Sequence, residues 1–339
     1  MPREPARRLV GLGPLDALLA DEAVTEVMVN GAGPVWVERA GVVQQTAVEL
    51  DVATIEHVLE RIIAPLGLRA DRTSPLVDAR LVDGSRVNAV VPPIALDGPC
   101  LTIRRFATRT IDVAAMCPPG VAELLTSAVR ERRNVVVSGG TGSGKTTMLN
   151  ALAAVIPDGE RIVTVEDAAE LRLPAAHVVR LEARPANADG LGAITLRALV
   201  RNALRLRPDR IIVGEARGPE ALDVLQAMNT GHEGSLSTCH ANSPTDALRR
   251  LETMVLMGDV ALPLAAVRDQ LAASIDLIVH VARSTDGRRE VAAVAEVVDG
   301  WDGTGPRVRP LASPSGLHAR PERPGRTAAA PPASGCVAS

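Results

Sequence analysis

The run Gly139-Gly140-Thr141-Gly142-Ser143-Gly144-Lys145-Thr146 constrains this chain more than any other stretch. It matches G-x-x-x-x-G-K-[ST], a loop whose glycines let successive backbone N–H groups close on phosphate oxygens. Val135–Val137 before it reads as a short apolar strand, and Thr146 to Val155 after it reads as a helix. That order sets the loop at a helix N-terminus, whose partial positive charge favours anions. The candidate nucleotide-binding residues are therefore Gly139, Gly140, Thr141, Gly142, Ser143, Gly144, Lys145, Thr146 and Thr147. Lys145 is placed to bridge the β- and γ-phosphates of ATP, and Thr146 to hold Mg²⁺. Lys and Arg together number 37, and Lys145 is the one lysine. A compact ammonium is not replaceable there by a planar guanidinium, although it is on a free surface.

Downstream, strands alternate with helices. Ile162–Val165 and Ile211–Val213 are short runs, apolar but for Thr164, as expected of strands buried on both faces of a parallel sheet. Leu196, Leu199, Val200, Ala203 and Leu204 repeat at helical spacing. Pro219 opens a further helix that Gly231 closes, and Ser243-Pro244 starts another that ends at Gly258. Ile275–Val281 and Val291–Val298 flank Asp286-Gly287, a hairpin signal. The apolar run before Glu215 delivers a carboxylate to a strand end, where it can orient or activate water. Val165-Glu166-Asp167 does the same with two acids: Glu166 is a candidate for the outer shell of Mg²⁺ through water, as is Glu215, and Asp167 is a candidate helix N-cap. His232 and His240 lie eight residues apart with no third ligand in sight, so zinc is not expected.

Residues 1–107 read differently, as an α+β unit. Leu15, Leu18 and Leu19 mark a helix; Val24–Val29 and Pro34–Glu38 mark strands turned by Gly31 and Gly33; a helix follows near Val52–Ile63, then strands at Ser85–Val91 and Cys100–Phe106. Residues 108–118 read as a linker to an ATPase domain at 119–305. From Pro306 the composition turns to Pro, Ala, Gly, Ser and Arg, and 306–339 is expected to be a disordered tail. The net charge of -3 and the near absence of aromatics (Trp36, Phe106, Trp301) argue against a nucleic-acid binder. The basic N-terminus lacks an apolar core, no run of 18 apolar residues occurs, and the four cysteines form no C-x-x-C pair. A cytoplasmic location is expected.

Together these motifs resemble the type II/IV secretion ATPases and, within them, the CpaF-type ATPases of Flp/Tad pilus assembly. The resemblance rests on Ser138–Thr147, on the "Asp box" Val165-Glu166-Asp167, and on Leu199–Arg217 (LVRNALRLRPDRIIVGEAR). It rests also on the "His box" Leu225–Asn242 (LQAMNTGHEGSLSTCHAN), on Ser74–Asn88 (SPLVDARLVDGSRVN) and on Leu101–Phe106 (LTIRRF). It implies a PAS-like N-terminal domain before a RecA-like P-loop domain with a parallel sheet, and a homo-hexamer working on an inner-membrane platform protein at the inner face of the cytoplasmic membrane. It implies that Glu215 is the catalytic carboxylate, Glu166 the Asp-box acid, His232 and His240 a pair near the γ-phosphate, and Arg86 and Arg104 arginines that reach the phosphates. The tetracysteine zinc element of the type II secretion and pilus-extension branch is absent, which points to the Tad or conjugation-type branches. Ala216 and Ala198 depart from the family pattern, and the longer N-terminal extension common in it is missing. Two other functions compete: a RecA-like nucleic-acid translocase, against which composition argues, and an ATP-gated scaffold with little turnover, against which Glu215, His240 and the arginines argue.

Overall fold

The computed structural model describes residues 11–39, 41–105, 111–186, 191–284, 287–302 and 305–326. The chain divides into two compact units: Met1–Arg109 with Arg184–Ala193, and Thr110–Ala183 with Ile194–Ser339.

The first unit is built on a six-stranded sheet in the order β3-β2-β1-β6-β5-β4. Its strands are β1 (Val24–Asn30), β2 (Gly33–Arg39), β3 (Val42–Leu50), β4 (Leu76–Arg80), β5 (Arg86–Val90) and β6 (Cys100–Arg104). Every pairing in it is antiparallel. Helices α1 (Leu15–Ala20) and α2 (Val52–Ile63) bury Leu15, Leu18, Leu19, Ile55, Val58, Leu59 and Ile62 against it. Asp51 caps α2 by accepting from the Thr54 N–H at 2.8 Å.

The second unit carries a nine-stranded sheet in the order β15-β14-β13-β12-β7-β11-β10-β8-β9. Six strands run parallel: β7 (Val135–Gly139), β8 (Ile162–Glu166), β9 (Val178–Glu182), β10 (Arg210–Ala216), β11 (Leu236–His240) and β12 (Leu277–Arg283). The meander β13 (Arg289–Asp302), β14 (Gly305–Ser313) and β15 (Gly316–Leu317) extends it antiparallel from β12. Alternation along β7 sorts the two cores. Val135 and Val137 join α3 (Pro119–Arg130) and α4 (Lys145–Ala153) on one face. Val136 joins α5 (Leu196–Ala203), α6 (Glu220–Asn229), α7 (Pro244–Leu256) and α8 (Leu264–Ser274) on the other. Leu149 and Leu152 of α4 are fully buried, each stabilising the fold by about 1.5–3 kcal/mol. The expected fold class is thus observed: a parallel-rich α/β sheet preceded by a smaller, antiparallel α+β unit.

The division between the units falls within the expected linker at 108–118, whose described part is packed on the second unit: Val113 and Met116 are buried in the α3/α4 core, and the Met116 carbonyl accepts from the Val291 N–H at 2.8 Å. Residues 306–326 are not a disordered tail. β14 pairs with β13 along its length, and residues 318–326 run on as a strap to the amino-terminal end of the parallel strands. There Arg326 Nε and Arg323 Nη1 lie 2.8 and 3.3 Å from the two oxygens of Asp276, a carboxylate fully removed from solvent. Asp276 also accepts from the Asn134 N–H at 2.8 Å. Pro- and Arg-rich composition read as solvated chain, whereas these arginines are recruited by a buried acid far away in sequence. Residues 327–339, Phe106 and Asp286 lie outside the described residues.

Candidate active site

Within the second unit the parallel strands share one direction, so their carboxyl ends line one edge of the sheet, where α/β folds place ligands. β7 ends at Gly139, and register sets His240 of β11 and Val281 of β12 on either side of it. β10 delivers Gly214, Glu215 and Ala216 to the same edge, and β8 delivers Glu166.

The loop between β7 and α4 has the geometry of a phosphate cradle. Gly142 and Gly144 adopt φ of +68° and +99°, which favour glycine. At Gly139 a Cβ would stand 2.4 Å from both Ser143 Oγ and the Val281 carbonyl oxygen, so only glycine fits. Ser143 Oγ donates to the Gly140 carbonyl at 2.9 Å. Lys145 Nζ donates to the carbonyls of Gly139 and Gly140 at 3.1 and 2.9 Å, which holds the ammonium over the loop. Thr146 and Thr147 lie in the first turn of α4. A cradle that a single Cβ would fill, with its lysine folded across it, fits a nucleotide di- or triphosphate. Thr146 fits as the hydroxyl ligand of the accompanying Mg²⁺.

The acids divide into two environments. Glu166 is buried. Its Oε2 accepts from the Glu170 and Leu171 N–H groups at 2.7 and 2.9 Å, while its buried Oε1 has no hydrogen-bond partner among the described residues. Burial pushes its carboxyl up to about 7, against the opposing pull of the two backbone N–H groups. An unsatisfied buried carboxylate oxygen at this edge fits a water of the metal's shell. Gly214 explains why glycine precedes Glu215: the Glu166 side chain occupies its Cβ space, with Cγ 3.0 Å from where a Cβ would sit. Thr238 Oγ1 secures the same glycine by donating to its carbonyl at 2.7 Å. Glu215 is partly exposed, and its Oε2 accepts from Arg217 Nε at 2.7 Å. Asp167, expected as a helix cap, precedes no helix; its carboxylate lies 3.8 Å from Arg217 Nη1.

Of the two candidate histidines, the structure brings only His240 to this edge. His232 sits in the turn before β11, whose four steps separate the two by about 13 Å at roughly 3.3 Å per residue. Its neighbours Gly231 and Glu233 line a cavity with Arg132, Arg323 and Arg326 at the opposite edge. The eight-residue spacing in sequence is the span of a strand, not of a paired site. In its place stands His280, which sequence reading passed over. Its Nδ1 is 3.0 Å from Ser138 Oγ beside the loop, and burial holds its pKa below the ordinary value against the nearby Asp246. Arg86 and Arg104 belong to the first unit, where they are directly opposed across β5 and β6; Arg80 of β4 continues the row. On its other side Arg104 is opposed to Glu26 of β1, whose carboxylate it draws on.

The family described as type II/IV secretion system protein matches residues 8–319. The conjugal transfer protein TrbB of Rhizobium radiobacter is 37% identical over 281 residues, covering 80% of this chain and 83% of its own. The type IV secretion system protein PtlH of Bordetella pertussis is 36% identical over 319 residues, covering 84% and 91%. The ATPase DotB of Legionella pneumophila has the same fold, with a TM-score of 0.61 at 22% identity over 86% of this chain and 82% of its own. On the extent of the family match and of these relatives, the chain belongs to the type II/IV secretion system protein family.

Proposed function

We propose that the protein is an ATP-hydrolysing motor subunit that acts as a ring of six at the inner face of the cytoplasmic membrane, driving a platform protein of a secretion, conjugation or Flp/Tad pilus machine. The observation that supports hydrolysis, rather than nucleotide binding alone, is the arrangement along one sheet edge. The phosphate cradle, Glu215, Glu166 and His240 all lie at strand ends that face the same way.

The loop N–H groups and Lys145 bind the phosphate chain and offset its charge. Glu215, on the strand two places from the loop, is the group that orients the attacking water and takes its proton. Mg²⁺, held by Thr146 and through water by Glu166, would supply further charge neutralisation when bound. Arg86 and Arg104 are the arginines that the family resemblance carries to the phosphates, and they stand on neighbouring strands of the first unit. The absence of the tetracysteine element favours the Tad or conjugation-type branches, and the conjugal-transfer and type IV secretion relatives support a machine of that general kind.

The deciding experiment is Glu215→Gln, measured for ATP affinity and for single-turnover hydrolysis. ATP should bind as in the parent protein while hydrolysis falls by about 10²–10⁴-fold. Unchanged hydrolysis would remove Glu215 from the chemistry. A parent protein that binds ATP without measurable turnover would favour a nucleotide-gated scaffold, and DNA-stimulated turnover at low salt would favour a translocase.

A further inference from the structure

The paired strands β12 and β13 form one wall of the phosphate loop. β12 runs parallel to β7, so its last residue, Arg283, lies at the loop's edge of the sheet. Register then fixes the partners: Val281 faces Val291, Ala282 faces Glu290, and Arg283 faces Arg289. Side chains alternate along a strand, so Arg283 and Arg289 project from the same face as Val281 and Val291. Those two valines are buried in the core that α4 covers. The arginines are therefore the next step outward from that core, at the end where α4 begins. Glu290, next to Arg289 in sequence and opposite Ala282, belongs to the other face.

Contacts agree with this placement at both ends of the loop. The Val281 carbonyl closes on Gly139, and the Arg289 side chain lies over Gly144, its Cδ and Cβ 3.0 and 3.4 Å from where a Cβ would stand. Met116 Cε touches the same position at 3.4 Å. Arg283 and Arg289 are exposed, and among the described residues neither has an ion-pair partner. Two guanidiniums directly opposed on one face repel. Here they also flank a helix N-terminus that is already positive and carries Lys145. Surface arginines free to turn to solvent gain nothing from that position unless an anion is bound there.

We propose that Arg283 and Arg289 are a second cationic element of the nucleotide site and hold the α/β-phosphate part of ADP and ATP. The proposal rests on the reading of the Gly139–Thr146 loop as a nucleotide site. Gly144 is the helix-side end of that loop, where backbone N–H groups cradle the α- and β-phosphates, so a guanidinium seated over it serves both nucleotides alike. The γ-phosphate is left to Lys145 and to the hydrolytic groups.

The test uses the full chain and fluorescent ADP and ATP analogues, with dissociation constants measured for Arg289→Ala, Arg283→Ala, Arg289→Lys and Lys145→Ala. Arg130→Ala, at an exposed position in the last turn of α3, serves as a surface-charge control. Arg289→Ala should weaken ADP and ATP by about the same factor, about tenfold. Arg283→Ala should weaken both less, and Arg289→Lys should recover part of the loss. KM for ATP should rise more than kcat falls. Unchanged affinities in both alanine variants, with Lys145→Ala impaired, would overturn the proposal and leave the nucleotide site standing. Lys145→Ala binding like the parent would instead overturn the site itself. Loss confined to ATP would contradict the α/β assignment. Loss of self-association with unaltered nucleotide affinity would give the arginines to a contact between copies and also overturn it.

Discussion

Lys145 is the residue at which sequence and geometry coincide most closely. Its ammonium donates to two carbonyls of its own loop at 3.1 and 2.9 Å, a seat a planar guanidinium does not reproduce. Lys145→Arg is therefore expected to abolish steady-state ATP hydrolysis while preserving the fold, and near-normal rates would remove Lys145 from the site. Glu166 carries a prediction in pH. Its carboxyl titrates near 7 in the fold against an ordinary value of 4.5, so the folded state holds the proton more tightly. That contribution to stability is complete below pH 4.5 and is lost as pH rises through 7. Its size is on the order of 3 kcal/mol. Urea unfolding without nucleotide should show a decline from pH 5 to 8 that Glu166→Gln flattens; parallel profiles would refute the assignment. At this scale the glycine-rich loop and the strand-end acids were legible because they are contiguous. His280, Arg289 and the reason for Gly214 were not, since each depends on a neighbour from another strand.

Elements were legible where burial imposes a pattern. The parallel strands β7, β8 and β10 each carry a mostly apolar run, as two-sided burial requires, and α2 and α7 announce themselves through Asp51 and Ser243, whose side chains cap them. The sheet margins were missed. β3 reads VVQQTAVEL with most of its residues exposed, and β4 and β9 are similarly one-sided, so no apolar run marks them. The strap at 318–326 was missed for a different reason. It is held by ion pairs and hydrogen bonds: Arg323 and Arg326 reach Asp276, Arg323 also donates to the Ala272 carbonyl at 2.8 Å, and Arg326 donates to that of Ala273. Removing both arginines leaves a buried carboxylate uncompensated. Arg323→Ala with Arg326→Ala should lower stability by about 3–5 kcal/mol in urea unfolding, and Asp276→Asn in that background should return part of it. Nucleotide affinity should stay as it was, because the strap and the phosphate loop lie at opposite edges of the sheet. A loss of affinity at full stability would show that the two edges are coupled.

At the scale of the whole molecule, the groups assigned to one reaction are divided between two compact units. Lys145, Glu215 and Glu166 belong to the second unit, Arg86 and Arg104 to the first. The fold class was legible because each unit has its own periodicity, but the boundary was not: residues 184–193 return to the first unit with no compositional mark. If the arginines complete a site in a ring, activity should rise steeply with protein concentration, and Arg104→Ala should lose hydrolysis while keeping most nucleotide binding. Mixing Arg104→Ala with Lys145→Ala subunits separates the two geometries. Regained activity in mixed assemblies would place the arginines across a subunit border; none would confine them to their own chain.

The single lysine also gives the molecule an unusual chemical address. A protease specific for lysine has one peptide bond to cut in all 339 residues, the one between Lys145 and Thr146, where the phosphate loop becomes helix α4. That bond is guarded by the fold, since cleavage requires the loop to leave its cradle and the first turn of the helix to unwind. Two fragments of fixed size, appearing at a rate set by that opening, would report on the nucleotide site alone. A primary-amine reagent meets only the N-terminus and this same lysine, so a bound phosphate chain would register as protection at a single internal position.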